Sequence, residues 1–464
     1  MNNTLKYFKE ISAVPRPSGK EEKIKDYLIS FATEHNLEYF FDSTHNVIIK
    51  KPTNREDCEK TLILQAHTDM VCEKNEDTQI NFDTDPITLD EDENHIFAKG
   101  TTLGADNGIG LSMILSVLSN DKLSIPNLEA IFTTQEETTM NGALNLDFSL
   151  IKGEHLLSLD GTDEGKIEAS CAGMVVAKLT NKYKTTKEKL KTLKVSIKGL
   201  KGGHSGLEIN TKRLNAIKLL FKFLKTIKDV KLVSVTGGGK SNAIARECFV
   251  TIQTENSANE IRKSLKEFCK QYKKIEPEIL GEVKTQPKKY VEVLSKTDTN
   301  KIINFANKHK NGVLIYSQEK KNFPITSNNF ANIKLNNGEL TIIISLRSSV
   351  IRFESEKLDE LEALATKYKL NFEITSRAPF FERRENSYLQ KLCCETYGEL
   401  YTNPAVLQDV HAGLEGGVFI SKKPTLDICV IAANIYDAHS PKERVEKKSI
   451  DRTYKWLEKI IENF

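Results

Sequence analysis

Short apolar segments that end in acidic residues or histidines most restrict what this chain can fold into. Each of four such segments is followed by a polar cluster: TLILQA by His67-Thr68-Asp69, LEAIFTT by Gln135-Glu136-Glu137, HLLSL by Asp160, and LDICVIAA, after a short loop, by Asp437-Ala438-His439. Helical spacing over 107–120 separates the first two segments, and strands that alternate with helices favour a mostly parallel α/β sheet. Since ligands bind at the carboxyl ends of such strands, we expect the clusters to meet at one edge of the sheet.

The middle of the chain has a different pattern. Between residues 185 and 377, lysine-rich strands and helices alternate, and an Asn-Asn-Gly turn at 336–338 joins FANIKL to ELTIIISL. The sequence therefore predicts an α/β fold with a split domain, residues 1–184 and 378–464, built on a mostly parallel central sheet. Residues 185–377 are predicted to form an inserted α+β lid domain of two ferredoxin-like halves.

Charge and composition exclude several classes of function. The 464 residues include 67 Lys and Arg and 64 Asp and Glu, which gives a net charge of +3 and no basic excess for binding nucleic acid or a membrane surface. No stretch approaches the roughly 18 apolar residues that span a bilayer, and the N-terminus has no apolar signal core. The eight cysteines form no C-x-x-C pair, which indicates reduced thiols. We expect a cytoplasmic protein that binds neither nucleic acid nor membrane.

Clustered carboxylates and histidines indicate metal binding. The segment Gly104-Ala105-Asp106-Asn107-Gly108 adds Asp106 at the start of the 107–120 helix, where alone it would be an ordinary N-cap. Carboxylates brought together at one edge would repel each other unless they were neutralised, and a pair of divalent cations would do this. Histidine nitrogens combined with carboxylate oxygens suit Zn²⁺, with Mn²⁺ or Co²⁺ also possible.

Several motifs together resemble a known family. His67-Thr68-Asp69, Gly104-Ala105-Asp106, Glu136-Glu137, Asp160, GGHSG (202–206) and His439 resemble the di-zinc metallopeptidases related to aminoacylase, carnosinase and aminotripeptidase. The longer strings LQAHTDMVCEK, GTTLGADNGIG, GLKGGHSGLEI, GGGKSNAIARE, HAGLEGG and AHSPKERV look like its aminoacyl-histidine dipeptidase branch. The resemblance extends from about Ile11 to Val445, and it implies that the split domain is catalytic.

The resemblance implies two metal ions, most simply Zn²⁺, and a set of residues that serve them. Asp106 would bridge the ions, and the full ligand set would be His67, Asp106, Glu137, Asp160 and His439. Glu136 would be the general base that activates water and returns the proton to the leaving amine, while Asp69 would orient His67. The residues alone do not distinguish Glu136 from Glu137, and the family pattern makes Glu137 the ligand.

The resemblance also implies substrate contacts from the inserted domain. His204 would hydrogen-bond the developing oxyanion, and Arg347 would bind the substrate carboxylate through its planar guanidinium. Asn242, in a glycine-rich turn of the insertion, and Gly413, in the HAGLEGG string of the split domain, are further candidate contacts. The insertion is about twice the length of one ferredoxin-like domain. We therefore expect a monomer or homodimer in which each active site is completed within one chain.

The predicted activity is metal-dependent hydrolysis of Xaa-His dipeptides and other short unblocked dipeptides. An aminotripeptidase or an N-acyl amino acid deacylase of the same family is the alternative, and these would differ in what the lid recognises. A non-catalytic binding protein is a remoter alternative, against which the intact base and ligands argue. The chain departs from the branch at Ala432-Ala433, where a Gly-Pro pair is usual, and at Gly416, where cysteine is frequent; the first departure bears on the loop that presents His439.

Overall fold

The computed structural model describes residues 2–161 and 163–464 of the chain. The helices in these residues are α1 Thr4–Ser12, α2 Glu22–Glu34, α3 Ala105–Leu118, α4 Asn141–Asn145, α5 Ala216–Leu224, α6 Ala258–Lys270, α7 Lys296–Lys308, α8 Ile351–Lys367, α9 Tyr388–Leu400, α10 Glu415–Lys422 and α11 Lys447–Asn463. The strands in these residues are β1 Glu38–Phe41, β2 Val47–Lys51, β3 Thr61–His67, β4 Leu89–Glu91, β5 His95–Ala98, β6 Asn127–Thr133, β7 His155–Ser158, β8 Lys166–Cys171, β9 Gly173–Lys182, β10 Thr185–Leu190, β11 Leu193–Lys198, β12 Lys231–Gly238, β13 Cys248–Gln253, β14 Leu280–Thr285, β15 Lys289–Leu294, β16 Gly312–Tyr316, β17 Pro324–Asn336, β18 Glu339–Ser348, β19 Asn371–Ala378, β20 Val406–Val410, β21 Asp427–Val430, β22 Ile435–Tyr436 and β23 Arg444–Glu446.

The chain divides into two compact units. Unit 1 contains the residues up to Cys171 together with Phe381–Val410 and Leu414–Phe464, and unit 2 contains Ala172–Phe380 and His411–Gly413. No helix in the described ranges is long and apolar enough to cross a bilayer.

Unit 1 is built on a mixed sheet whose centre is parallel. Among the described residues the strand order is β1-β2-β6-β3-β7-β21-β8-β20, and the neighbours β6, β3, β7 and β21 all run in the same direction. These four strands are buried along nearly their whole length, as expected for parallel strands covered on both faces. The predicted parallel sheet and the convergence of its carboxyl ends are confirmed.

The core of unit 1 forms where helices cover this sheet. α3 is apolar on every side, and nearly all of its residues are buried, which suits a helix enclosed between the sheet and α1. α11 instead has one apolar face, which includes Trp456 and Leu457, and it packs against α9. The helix predicted at 107–120 is therefore observed, although Asp106 and Asn107 at its start have non-helical backbone angles.

Unit 2 contains two groups with the β-α-β-β-α-β order of a ferredoxin-like fold. The first group is β11-α5-β12-β13-α6-β14, with strand order β14-β11-β13-β12. The second is β9-α7-β17-β18-α8-β19, with order β19-β9-β18-β17, and β16 pairs beside β17. Antiparallel pairing of β12 with β17 joins the groups into one sheet. The predicted α+β architecture of two ferredoxin-like halves is confirmed.

The division between the units differs from the predicted boundaries of 184/185 and 377/378. It falls at 171/172 and 380/381, and residues 411–413 also belong to unit 2. The physical reason is β9, which pairs with β18 along its whole length and with β19 on its other side. β9 is the first strand of the second ferredoxin-like group, and the entire first group is inserted between β9 and the rest of its own group.

Candidate metal centre

The polar clusters predicted from the sequence lie at one edge of the unit 1 sheet. His67 is the last residue of β3 and pairs with Thr133 at the end of β6, just before Glu136 and Glu137. The neighbouring ladder continues past β7, because the N–H of Leu159 donates to Gln65 and so places Asp160 next to this edge. Parallel pairing in register thus brings three sequence-distant clusters to the same place.

Asp106 occupies the centre of the predicted ligand set. Its Oδ1 lies 3.1 Å from Nε2 of His67, and its Oδ2 lies 3.2 Å from Nε2 of His439. Oδ1 of Asp160 is 3.3 Å from Nε2 of His67, and Oε1 of Glu137 is 2.8 Å from Nε2 of His439. The other four side chains therefore form two pairs, His67 with Asp160 and His439 with Glu137, on the two oxygens of the Asp106 carboxylate.

His67 and Glu137 carry signs of binding a cation. Nδ1 of His67 lies 3.1 Å from the carbonyl oxygen of Asp69, which places a proton on Nδ1 and makes Nε2, the nitrogen facing Asp106, the one that would bind a cation. Ligand atoms of His67, Asp106 and Glu137 all lie within 4.8 Å of one another. Oε1 of Glu137 is buried and lies 2.8 Å from Nε2 of His439, so a second carboxylate and histidine stand together beside Asp106. These donors fit a metal centre.

Asp69 connects the first histidine to the two adjacent glutamates. Its Oδ1 accepts a hydrogen bond from the N–H of Glu136 at 3.0 Å, and its Oδ2 accepts one from the N–H of Glu137 at 3.3 Å. Ser18 donates to Oδ2 at 2.7 Å, and Nδ1 of His67 lies 3.4 Å from Oδ1. Asp69 is fully buried, and although burial opposes ionisation, the contacts with His67, Ser18 and Glu136 lower its pKa. Asp69 therefore remains a carboxylate that holds both neighbouring segments.

The crowding of acids shifts the pKa values of the groups around Asp106. Burial raises the pKa of Glu136, and the nearby charge of Asp160 raises it further. For His439, burial opposes protonation, but contacts with Asp106 and Glu137 outweigh it and raise the pKa to about 11. The pKa of His67 is also raised, because Asp160 and Asp106 outweigh burial. Protons thus balance part of the negative charge, and binding of divalent cations would displace them.

A second polar cluster lies within unit 2 and contains the predicted substrate contacts. The N–H groups of Gly206 and Leu207 approach Nδ1 of His204 at 3.3 and 3.2 Å, so Nδ1 is an acceptor and the proton of the neutral ring lies on Nε2. Nη2 of Arg347 is 3.4 Å from this Nε2. Two donor groups therefore point into the same region, as expected for a site that binds an anionic oxygen.

Asn242 and Gly413 have different surroundings. The carbonyl oxygen of Asn242 accepts the N–H of Ser205 at 2.8 Å, which places this exposed residue beside the His204 loop. Gly413 belongs to the short segment 411–413 of unit 2. In that segment His411 hydrogen-bonds Oγ of Ser327 at 2.8 Å, and Ser327 pairs with Arg347 between β17 and β18, so His411 also lies beside the cluster.

Comparison with known proteins agrees with this geometry. Residues 63–463 match Peptidase family M20/M25/M40. The chain belongs to this metallopeptidase family. It is 32% identical over 470 residues to the cytosol non-specific dipeptidase of Escherichia coli (strain K12), an alignment that covers 98% of this chain and 96% of that protein.

Solved structures of this family have the same fold. The aminoacylhistidine dipeptidase from Vibrio alginolyticus aligns with a TM-score of 0.84 and 31% identity, covering 99% of this chain and 96% of that one. A tripeptidase from Staphylococcus aureus aligns with a TM-score of 0.58 and 14% identity over 99% of this chain and 97% of that one, which shows a shared fold alone.

Three further residues of this M20/M25/M40 peptidase hold the candidate metal centre in place, and the sequence pattern does not reveal them. Asn107 donates from Nδ2 to Oδ1 of Asp160 at 2.9 Å. Arg16 and Glu443 are almost fully buried and bind the backbone of the segments that carry the ligands. Arg16 lies in the string PRPSG and Glu443 in SPKERV, and nothing in either string predicts that a charged residue is buried there.

The departure at Ala432-Ala433 has a defined environment in unit 1. Both alanines are buried, and the carbonyl oxygen of Ala432 accepts a hydrogen bond from Oγ1 of Thr453 at 3.1 Å. The next residue, Asn434, donates its N–H to Oγ of Ser449 at 2.7 Å. The start of the loop that carries His439 is therefore fastened to α11.

Proposed function

We propose that this protein is a dipeptidase that hydrolyses small unblocked dipeptides, including Xaa-His dipeptides. The observation that carries the proposal is the position of Asp106, whose two oxygens face His67 on one side and His439 on the other. This is the arrangement expected of a carboxylate that bridges two ions. The names of the Escherichia coli and Vibrio alginolyticus relatives, a non-specific dipeptidase and an aminoacylhistidine dipeptidase, support the choice of dipeptides as substrates.

The proposed cofactor is a pair of divalent cations, most simply Zn²⁺, with Co²⁺ or Mn²⁺ as substitutes. His67, Asp160 and Asp106 would hold one ion, and Asp106, Glu137 and His439 would hold the other. Bound in this way, the ions would supply Lewis acidity for the scissile carbonyl and make water more acidic.

The side chains of this chain would carry out the proton transfers. Glu136 follows β6, and its N–H is fixed by Asp69, so its carboxylate is held on a short rigid turn after the sheet edge. We assign it the role of general base toward the attacking water, after which it would return the proton to the leaving amine. Asp69 would keep the proton of His67 on Nδ1 and so keep Nε2 available as a ligand.

The cluster in unit 2 would bind the charged end of the substrate. Arg347 is 4% exposed, and it carries its charge next to the donor Nε2 of His204. A dipeptide offers a carboxylate and, during hydrolysis, a developing oxyanion, and both are acceptors suited to these two donors. Asn242 and Gly413 are proposed as additional contacts with the peptide.

We also propose a cytosolic location and a monomer or homodimer whose sites each use one chain. The name of the Escherichia coli relative supports the location. All eight cysteines, which fall within the described ranges, are free, as expected for a protein kept in a reducing compartment. The doubled ferredoxin-like architecture of unit 2 supports sites that use a single chain.

A panel of substrates and metals tests the proposal. Purified protein is stripped with a chelator and reloaded with Zn²⁺, Co²⁺ or Mn²⁺, and hydrolysis of dipeptides, tripeptides and N-acetyl amino acids is measured. We expect the stripped protein to be inactive, the reloaded protein to bind two ions per chain, and dipeptides to have the highest kcat/KM. Preference for tripeptides or N-acetyl amino acids would replace the dipeptidase assignment with an aminotripeptidase or a deacylase. Two bound ions without any hydrolysis would indicate a binding protein.

A further inference from the structure

Glu443 binds four successive backbone N–H groups of the segment that presents Asp106. Its Oε2 accepts hydrogen bonds from Leu103 at 2.8 Å and Gly104 at 3.0 Å, and its Oε1 accepts them from Ala105 at 2.8 Å and Asp106 at 3.2 Å. The side chain is 2% exposed. Each oxygen thus serves two donors, and the carboxylate fixes the backbone of the whole segment.

Arg16 binds three carbonyl oxygens, of which one belongs to the same segment and two belong to the residues that follow His67. Its Nη1 donates to Thr68 at 3.0 Å and to Asp69 at 3.1 Å, and its Nη2 donates to Gly104. The guanidinium is 2% exposed. Gly104 has φ +71°, and a Cβ there would lie 2.6 Å from Nη2 of Arg16, so the arginine packs directly against the backbone. Gly104 is therefore held by Glu443 through its N–H and by Arg16 through its carbonyl.

Each of the two contacts joins a different pair of ligand segments. Glu443 lies four residues after His439, and its own N–H donates to Ser440 at 3.0 Å, so it links the His439 turn to the Asp106 segment. Arg16 binds the two residues that follow His67, so it links the His67 segment to Gly104. One contact thus spans Asp106 and His439, and the other spans Asp106 and His67.

We infer that Glu443 and Arg16 are positioning residues, each of which sets the spacing of one metal position. Glu443 controls the position held by Asp106 and His439, and Arg16 controls the position held by Asp106 and His67. This inference rests on the two-ion centre of the proposed function. A carboxylate that bridges two ions must lie close to both partner histidines at once. Before the ions bind, only the protein can hold it there, and Glu443 and Arg16 hold its backbone segment.

The variants Glu443→Gln and Arg16→Lys test the inference, with Glu385→Gln on the exposed surface of the same unit as the matched control. In Glu443→Gln the single amide oxygen can serve only part of the four donors. In Arg16→Lys the charge remains but the planar donor fork is lost. Co²⁺ is titrated into each metal-free protein, with calorimetry and visible absorption as readouts. His439→Gln and His67→Gln provide the reference spectra of the two single positions.

We expect Glu443→Gln to weaken one of the two Co²⁺ affinities by about 10- to 100-fold and to resemble His439→Gln at intermediate Co²⁺. Arg16→Lys should weaken the other affinity and resemble His67→Gln. Glu385→Gln should match the wild type. Glu443→Asp restores two carboxylate oxygens and should recover part of the lost affinity. If circular dichroism shows that Glu443→Gln does not fold, Glu443→Asp takes its place in the test.

Two outcomes would overturn the inference. The first is an unchanged pair of affinities in folded Glu443→Gln and Arg16→Lys, and the second is an equal loss at both positions in each variant, which would mean a general structural role. The failure of the proposed function is recognised separately, because in that case the wild type itself would bind fewer than two Co²⁺ ions or hydrolyse no peptide.

Discussion

The carboxylate of Asp69 accepts a hydrogen bond from the backbone N–H of Glu136 at 3.0 Å. The same carboxylate accepts the N–H of Glu137 and lies beside Nδ1 of His67. A single buried acid thus fixes a histidine at the end of β3 and a pair of glutamates after β6. A substitution that changes the charge or shape of Asp69 should therefore disturb both the predicted ligand His67 and the proposed base Glu136.

Asp69→Asn should lower kcat by about 10- to 100-fold at saturating metal. The amide oxygen of asparagine can accept one of these hydrogen bonds. Its NH₂ group would face an N–H or O–H donor whose hydrogen bond the carboxylate of Asp69 now accepts, and that hydrogen bond would be lost. Steady-state kinetics with metal content measured in parallel checks this. Ser18→Ala is the control, because it removes only the hydrogen bond to Oδ2 and should have a much smaller effect. Equal activity of the two variants would contradict the orienting role of Asp69.

Glu136→Gln and Glu137→Gln should fail in different ways. The first should keep two ions and the fold but lose about 10²- to 10⁴-fold in kcat, because the proposed general base is removed. The second should lose affinity for one ion, since Oε1 of Glu137 faces His439. Metal analysis and kinetics on both proteins distinguish the roles. If Glu136→Gln lost an ion and Glu137→Gln lost only kcat, the roles of base and ligand would be exchanged. A kcat near that of the wild type in Glu136→Gln would exclude Glu136 as the base.

Local features place three of the predicted ligands, because His67, Glu137 and Asp160 each follow an apolar strand, and parallel strands in register bring such residues to one edge. Asp106 lies instead at the start of α3, and its predicted bridging role, like the choice of Glu137 over Glu136, depends on the family resemblance. The hairpin at Asn337-Gly338 was equally local, since both residues have positive φ, as a two-residue hairpin turn requires.

The supporting residues could not be derived in this way. Glu443 and Arg16 act on backbone N–H and carbonyl groups, which every residue has, and their partners are distant in sequence: Glu443 and Ala105 are 338 residues apart, and Arg16 and Gly104 are 88 apart. The start of unit 2 at β9 could not be predicted for a similar reason. β9 follows β8 directly in the chain, but the strands it pairs with, β18 and β19, come much later.

Arg347→Lys should remove discrimination in favour of a free substrate carboxylate. The planar guanidinium can bind a carboxylate through two hydrogen bonds, and a lysine ammonium cannot reproduce that geometry. We expect kcat/KM for an unblocked dipeptide to fall by roughly 10- to 150-fold, corresponding to about 1.5–3 kcal/mol for a charge-assisted bond. The same dipeptide with a C-terminal amide is the control substrate, and its kcat/KM should fall far less. An equal loss for both substrates would show that Arg347 does not bind the carboxylate.

His309→Leu should make the protein more resistant to acid. His309 is 3% exposed, neither ring nitrogen has a hydrogen-bond partner within the described residues, and the ring packs between Phe305 and Phe330. Burial, reinforced by the charge of Lys218, lowers its pKa to about 3. The unfolded chain therefore binds a proton below its ordinary pKa of about 6.5 while the folded chain does not, so stability is present above that pH and is lost as pH falls toward 3.

The magnitude of this effect follows from the same two pKa values. Between pH 7.5 and pH 5 the wild type should lose about 2 kcal/mol of unfolding free energy that the leucine variant keeps. Urea unfolding of the metal-free proteins at both pH values measures it, and because the metal-ligand histidines are identical in the two proteins, their contribution cancels in the difference. A wild-type to variant difference that is the same at pH 7.5 and pH 5 would show that folding does not lower the pKa of His309.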